Sequence, residues 1–221
     1  EMIKKFDKVE EIKIPKMSDH PLLSISIASY NVANFIIQIL CNLLRAKYAN
    51  KLEILVVNDG SKDSTVETVQ KFIEKYYKED GQSIIRLIDK PNGGHGSTIN
   101  KGIELATGKY FRLLDGDDYY VINQLDKFIE FLEKEDSDMI FTEYYEDFSV
   151  NGEYKKTELY KDMIPGHQYK FDEICIPGKE KIDWGPLLHT STYKTQLLKD
   201  LNFKIDEHSF YVDNEFNLMG T

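Results

Sequence analysis

Asp115, Asp117 and Asp118 fall within FRLLDGDDYY, residues 111–120, directly after an apolar run. Carboxylates packed that closely repel one another unless a positive charge is shared among them. Two carboxylates separated by Gly116 can share a hard divalent cation, Mg²⁺ or Mn²⁺, with phosphate oxygens completing the shell. Gly116 permits a turn that another residue would strain to adopt. The plain alternative is an acidic turn that caps the next helix, a role Asp118 fits.

Other residues carry weaker signals of the same kind. Asp59, in VVNDGSKDST, can accept from a base N–H or a ribose hydroxyl, or can simply form an Asx turn. Tyr30, in ASYN, can stack on a base or cover a sheet edge. Gly93-Gly94-His95-Gly96 precedes a helical pattern, so its backbone N–H groups can face a phosphate. His95 can add a contact to a diphosphate, or be an exposed loop histidine. Asp213, in HSFYVDNEFN, is either a helix N-cap or a general base. Trp184 is a sugar-stacking platform or a core residue, and His189 a metal ligand or a packed histidine.

These residues need a scaffold, and the chain supplies one. LLSISIAS (22–29), KLEILVVN (51–58), SIIRLID (83–89) and KYFRLLD (109–115) read as buried strands. Helical spacing follows each: Val32 to about Ala46, about 64–77 with Asp63 or Ser64 as its cap, STINKGIELA after a loop KPNGGHG, and about 122–135. A further strand is expected at about 138–145. Continuous apolar strands alternating with helices predict an α/β fold with a mainly parallel, Rossmann-like sheet flanked by helices. Ligands of such sheets bind beyond the carboxyl ends of the strands, and ASYN, NDGS, KPNGGHG and DGDD all fall there. After residue 146 the pattern loosens. EDFSVNGEYKKTELY reads as a hairpin or extended excursion, and MIPGHQYKFDEICIPGKEKIDWG as a long loop. The expected divisions are a peripheral segment 1–20, a regular strand-helix half 21–145 and a less regular half 146–221 of the same domain. The chain stops inside a plausible helix, so a truncated catalytic domain is expected.

Bulk properties narrow the class. With 221 residues, 41% hydrophobic and 30% charged, the chain is long enough for a well-buried core. A net charge of -10 argues against nucleic-acid binding, which needs a basic face. Cys41 and Cys175 have no metal-like spacing, which reads as a reduced, cytoplasmic compartment. No apolar run is long enough to span a membrane.

The order of these segments resembles the family 2 glycosyltransferases of the GT-A fold: SISIASYN, EILVVNDGSKDST, NGGHGSTINKGIELATGKYFRLLDGDD, then FYVDNEF. The resemblance covers residues 22 to about 135 closely and about 184–219 more loosely. It implies a nucleotide-sugar donor, commonly a UDP-sugar, inverting transfer, and a divalent metal, Mn²⁺ or Mg²⁺. Carried over by position, Ala28, Ser29, Tyr30 and Asn31 line the nucleoside pocket and Asp59 contacts the base. Gly94, His95 and Gly96 approach the donor, Asp115 lies by the ribose or sugar beside Gly116, Asp117 is the main metal ligand, and Asp213 is the catalytic base. Four positions depart from the usual pattern. Asn58-Asp59 replaces an acidic pair, Ile99 stands where many members carry arginine, His95 stands where some carry lysine, and Val212 precedes Asp213 in place of glutamate. The acceptor implied is a hydroxyl of a glycan or lipid-linked chain, at the inner face of the cell membrane through whatever follows residue 221. The alternatives are a sugar nucleotidyltransferase and an inactive nucleotide-sugar-binding module. The first would show an early Gly-rich loop with a basic residue, which SIASYNVAN lacks.

Overall fold

The computed structural model of the chain describes residues 12–148, 153–157, 160, 163–170, 173, 187–209 and 212. Its centre is a six-stranded sheet. Four of the strands are β1 (Leu23–Ser29), β2 (Leu52–Asp59), β3 (Ile85–Lys90) and β4 (Tyr110–Asp115). They lie in the order β3-β2-β1-β4 and every pair is parallel. All eight residues of β2 are buried, as expected for a parallel strand covered by helices on both faces.

Helices cover both faces. On one side, α1 (Ile36–Leu44), α2 (Thr65–Tyr76) and α4 (Ile122–Leu132) pack Ile36, Leu40, Phe72, Leu125 and Ile129 against Ile25, Ile27, Ile54 and Val56. On the other, α3 (His95–Leu105) and α5 (Thr195–Asp200) pack Ile99, Ile103 and Leu198 against Leu55, Val57, Phe111 and Leu113. Phe203, Ile205 and Val212 join that second core. Glu53 is fully buried on β2. It accepts from Arg86 Nη1 at 2.5 Å, from Ser24 Oγ at 2.5 Å and from the Thr107 N–H at 2.7 Å. A buried carboxylate so fully partnered locks three strands and the α3–β4 turn in one register.

The structure corrects several sequence expectations. The strand expected at 138–145 is two strands. β5 (Met139–Phe141) stays in the main sheet, and β6 (Tyr144–Phe148) leaves it to pair with β7 (Glu153–Thr157) in an antiparallel two-stranded sheet. The expected hairpin is therefore present, begun two residues earlier than its polar sequence. A short strand, β8 (Ser191–Lys194), was not expected. It inserts antiparallel between β4 and β5. Its residues Ser-Thr-Tyr-Lys carry little apolar signal, yet Ser191, Thr192 and Tyr193 are buried. The guanidinium of Arg112 explains part of this. It is 7% exposed and donates to Thr192 Oγ1 at 3.1 Å, Thr142 Oγ1 at 2.8 Å and the His189 carbonyl at 2.7 Å. Helix α3 starts at His95, inside the segment expected to be a loop. Val121, not Asp118, occupies the N-cap position of α4.

Candidate active site

A cleft of about 530 Å³ opens beyond the carboxyl ends of β1, β2 and β4, at the N-terminus of α3. Ten of the expected site residues line it: Ala28, Ser29, Tyr30 and Asn31 on one wall, Asp59 at the floor, Gly94 and His95 opposite, and Asp115, Gly116 and Asp117 at the lip. Gly96 does not line it. A Cβ there would sit 2.2 Å from the Asp206 carbonyl oxygen, so Gly96 serves the close approach of residues 205–206 to α3. Asp213 and Trp184 lie outside the described residues, as does Cys175. Cys41 is a buried free thiol.

The wall after β1 is clamped by the turn after β2. Asn31 adopts a left-handed backbone, φ 55°, a conformation asparagine tolerates better than most residues. Its N–H donates to Ser61 Oγ at 2.8 Å and its Oδ1 accepts from the Lys62 N–H at 2.8 Å. Thr65 Oγ1 and Asp63 Oδ2 accept from the N–H groups of Val32 and Ala33. The polar NDGSKDST stretch thus spends its side chains shaping the neighbouring loop. Tyr30 and Phe35 remain about half exposed at the cleft, at 47% and 50%.

Asp59 is the most heavily engaged residue of the site. Its Oδ1 accepts from Lys90 Nζ at 2.5 Å and the Gly93 N–H at 2.8 Å. Its Oδ2 accepts from the Gly94 N–H at 2.9 Å and Asn92 Nδ2 at 3.0 Å. Burial works to raise its pKa, but the Lys90 hydrogen bond and charge and the two glycine N–H groups outweigh it and hold the carboxyl below its usual value. A carboxylate offers about four acceptor positions, and these four donors fill them. The carboxylate expected to meet a base is thus committed to holding the glycine loop against β2. The loop N–H groups of Gly93 and Gly94, expected to face a phosphate, point at Asp59. Gly94, at φ 82°, then turns the chain into α3. The first helical N–H groups, of His95 and Gly96, have no intrahelical acceptor to use.

At the lip, His95 Nε2 lies 3.7 Å from Asp115 Oδ1. Gly116 is not in the left-handed region; a Cβ there would lie 2.9 Å from both the Ala28 carbonyl oxygen and Val32 Cγ1, so the constraint is close approach to β1 rather than backbone strain. Asp118 does not cap α4. Its N–H donates to the Asp115 carbonyl at 3.1 Å, and its carboxyl is pushed up by burial, then by the charges of Asp115 and Asp117, with His189 acting the other way. Excess negative charge collects where two carboxylates face the cleft, and their hard oxygen donors fit a divalent cation. Among the described residues no group of three or more His, Cys, Asp or Glu can hold a metal ion. His189 sits in a short helical turn at residues 188–190 with its ring edge against Tyr144, centroids 4.8 Å apart.

Lys90, Asn92 and Ser97 were not singled out in the sequence. Ser97 Oγ accepts from Lys90 Nζ at 2.6 Å and donates to the Gly94 carbonyl at 2.6 Å. The available signal was a lysine at the end of an apolar strand, two residues before the Asn-Gly-Gly turn. The segment leading toward Asp213 also docks on this loop. The His208 N–H donates to the Gly93 carbonyl at 2.7 Å, and Asn100 exchanges two hydrogen bonds with the Ile205 backbone, at 2.8 and 2.9 Å.

The family model described as Glycosyl transferase family 2 matches residues 24–201. EpsJ, an uncharacterized glycosyltransferase of Bacillus subtilis (strain 168), is 30% identical over 199 residues, covering 90% of this chain and 55% of EpsJ. An uncharacterized glycosyltransferase of Rickettsia bellii is 40% identical over 191 residues, covering 85% of this chain and 25% of its own length. The chain thus spans about half the length, or less, of these relatives. Among solved structures, TarS 1-349 of S. aureus superposes with a TM-score of 0.67 at 22% identity, covering 90% of this chain and 55% of that one. TarS 1-349 has also been solved in complex with UDP-GlcNAc, and superposes in that form with a TM-score of 0.63 at 20% identity, covering 90% of this chain and 52% of that one. The mannosyltransferase PcManGT from Pyrobaculum calidifontis, in complex with GDP-Man and Mn²⁺, superposes with a TM-score of 0.59 at 17% identity, covering 99% of this chain and 58% of that one. By the family model's match over residues 24–201 and its identity to these relatives, this chain belongs to glycosyltransferase family 2.

Proposed function

We propose that the chain is the donor-binding and catalytic part of an inverting glycosyltransferase. It moves a sugar from a nucleotide-diphosphate sugar, a UDP-sugar before others, to a hydroxyl of a glycan or lipid-linked acceptor at the cytoplasmic face of the membrane. The observation that carries this reading is the shared cleft: Ala28–Asn31, the α3 N-terminus and the Asp115-Gly116-Asp117 turn face one space. TarS with UDP-GlcNAc and PcManGT with GDP-Man and Mn²⁺ support a nucleotide sugar in that space.

Roles follow from position. Tyr30 and Phe35 flank the base with half-exposed rings. Asp59 and Lys90 fix the glycine loop, so that His95 and the first-turn N–H groups of α3 meet the diphosphate. Asp115 lies toward the ribose or sugar, and Asp117, with Asp115, holds the metal. A divalent cation bound there supplies Lewis-acid stabilisation of the charge that gathers on the departing diphosphate. Asp213 takes the proton of the acceptor hydroxyl as it attacks the anomeric carbon from the opposite face. Two contacts support that assignment: the chain is pinned to the glycine loop at His208, and Val212 is buried in the α3-side core. With few protein ligands, metal binds weakly alone and tightly with nucleotide.

A thermal-shift screen of UDP-, GDP- and TDP-sugars with and without Mn²⁺ tests the reading. A ligand at about 100 times its Kd adds about 2.7 kcal/mol, or roughly 5–10 °C for a domain of this size. Stabilisation by one nucleotide class, increased by Mn²⁺, supports it. No shift with any of them refutes it.

A further inference from the structure

The hairpin β6–β7 has two unlike faces. Paired residues of an antiparallel ladder share a face, and alternate residues along a strand do too. Tyr145 opposes Lys156 and Asp147 opposes Tyr154. Glu143, Tyr145, Asp147, Tyr154 and Lys156 therefore form one face, and all five are exposed. The opposite face, with Tyr144, Glu146 and Thr157, is partly buried, and its Tyr144 packs on His189. The outward face of a hairpin is ordinarily polar. Here it carries Tyr145 at 48% and Tyr154 at 64% exposure.

This face is joined to the cleft. The Tyr119 hydroxyl donates to Asp147 Oδ2, and its pKa is raised by burial, then by its hydrogen bonds to Asp147 and Tyr154. Tyr119, itself 49% exposed, lies two residues beyond Asp117 on the turn that forms the cleft's lip. Three tyrosines thus run outward from the place where the donor's sugar would sit. Their rings offer flat apolar surfaces, and their hydroxyls and the Asp147 carboxylate offer hydrogen-bonding groups at the ring edges. That combination matches a pyranose chain, which has apolar C–H faces and a rim of hydroxyls. The charge excludes a polyanion. Lys156 is taken up by Glu143 and Lys155 lies opposite Glu146, while Asp147, Asp115 and Asp117 add negative charge.

We propose that the outward face of β6–β7, Tyr145, Asp147 and Tyr154 together with Tyr119, is the binding surface for a neutral glycan acceptor. It leads the chain's terminal hydroxyl to the Asp115–Asp117 lip. This rests on the transfer reading above. The test uses the full chain, its Tyr145→Ala/Tyr154→Ala double variant, and chitohexaose, cellohexaose and maltohexaose as probes. Binding of each is followed by calorimetry beside binding of UDP and GDP with Mn²⁺. Both tyrosines are exposed, so the melting temperature stays within about 1–2 °C of wild type, as for surface substitutions. The expected result is millimolar or tighter binding of one hexaose, weakened about tenfold or more in the variant, with nucleotide affinity unchanged. Equal hexaose binding by wild type and variant, or no binding of any hexaose by wild type, overturns the proposal. Loss of hexaose binding in the variant while neither protein binds a nucleotide supports this surface and refutes the donor reading instead.

Discussion

Replacing Asp59 with asparagine isolates the charge that holds the glycine loop. The residue is 4% exposed, and its two oxygens each serve one backbone N–H and one side-chain donor. An asparagine keeps one oxygen. Whichever way its amide is flipped, the NH₂ faces the N–H of Gly93 or Gly94 and leaves that donor unsatisfied, at about 1–3 kcal/mol. Loss of the charge also strands Lys90, whose side chain is 16% exposed. Removing one partner of a buried pair costs about 3–5 kcal/mol, reduced here because Lys90 keeps the Pro91 carbonyl and Ser97 as acceptors. Asp59→Asn should therefore destabilise the protein by about 2–4 kcal/mol, a fall in Tm of roughly 5–15 °C. Urea unfolding at pH 7 measures it, and adding Lys90→Met should recover about 1 kcal/mol or more through the coupling of the pair. The pH dependence has a defined sign. The folded carboxyl titrates below its unfolded value of about 3.9, so its stabilisation is complete above that value and disappears as pH falls through the lower, folded value. The gap between wild type and variant should be flat from pH 7 to about 5 and narrow below about pH 4. A loss under about 0.5 kcal/mol at pH 7, within the range of ordinary surface changes, would refute the anchoring role.

Two further outcomes are expected. Asp117→Ala should weaken UDP binding in the presence of Mn²⁺ while leaving metal-free nucleotide affinity nearly intact; equal calorimetric affinities with Mn²⁺ would remove Asp117 from the metal site. Gly96→Ala should displace residues 205–208, because its Cβ would lie 2.2 Å from the Asp206 oxygen; a stability loss of about 1–3 kcal/mol is expected for such overpacking, with a larger proportional loss in turnover than in nucleotide affinity, and wild-type turnover would contradict the account.

What could be read from the sequence was set by locality. β1, β2 and β4 are buried on both faces, and the β-branched and leucine residues of Leu23–Ser29 and Leu52–Asp59, broken mainly by small serines and one buried glutamate, mark them as core strands. The clustering of ASYN and DGDD at one sheet edge followed from the strand-helix order alone. Interactions across long separations were not legible. Asp59 reads as a ligand contact because its four partners lie 31 to 35 residues away. His95 and Gly96 read as loop because glycines surround them, whereas Gly94 alone makes the turn and the helix begins at His95. β8 was invisible because its buried threonine side chain is compensated by Arg112, 80 residues distant. The break between β5 and β6 falls at Thr142-Glu143, just after the Thr142 N–H makes a last bond to the Thr190 carbonyl in the β5–β8 register.

The central claim, sugar transfer from a nucleotide donor with Asp213 as base, is tested most directly by release of nucleoside diphosphate. The full chain is incubated with a panel of UDP-, GDP- and TDP-sugars, Mn²⁺ and an oligosaccharide acceptor, beside Asp213→Asn. The account predicts diphosphate release with one nucleotide class, abolished in Asp213→Asn while nucleotide affinity is kept. Undiminished release by Asp213→Asn, or pyrophosphate release from a nucleoside triphosphate and a sugar phosphate in its place, would contradict it.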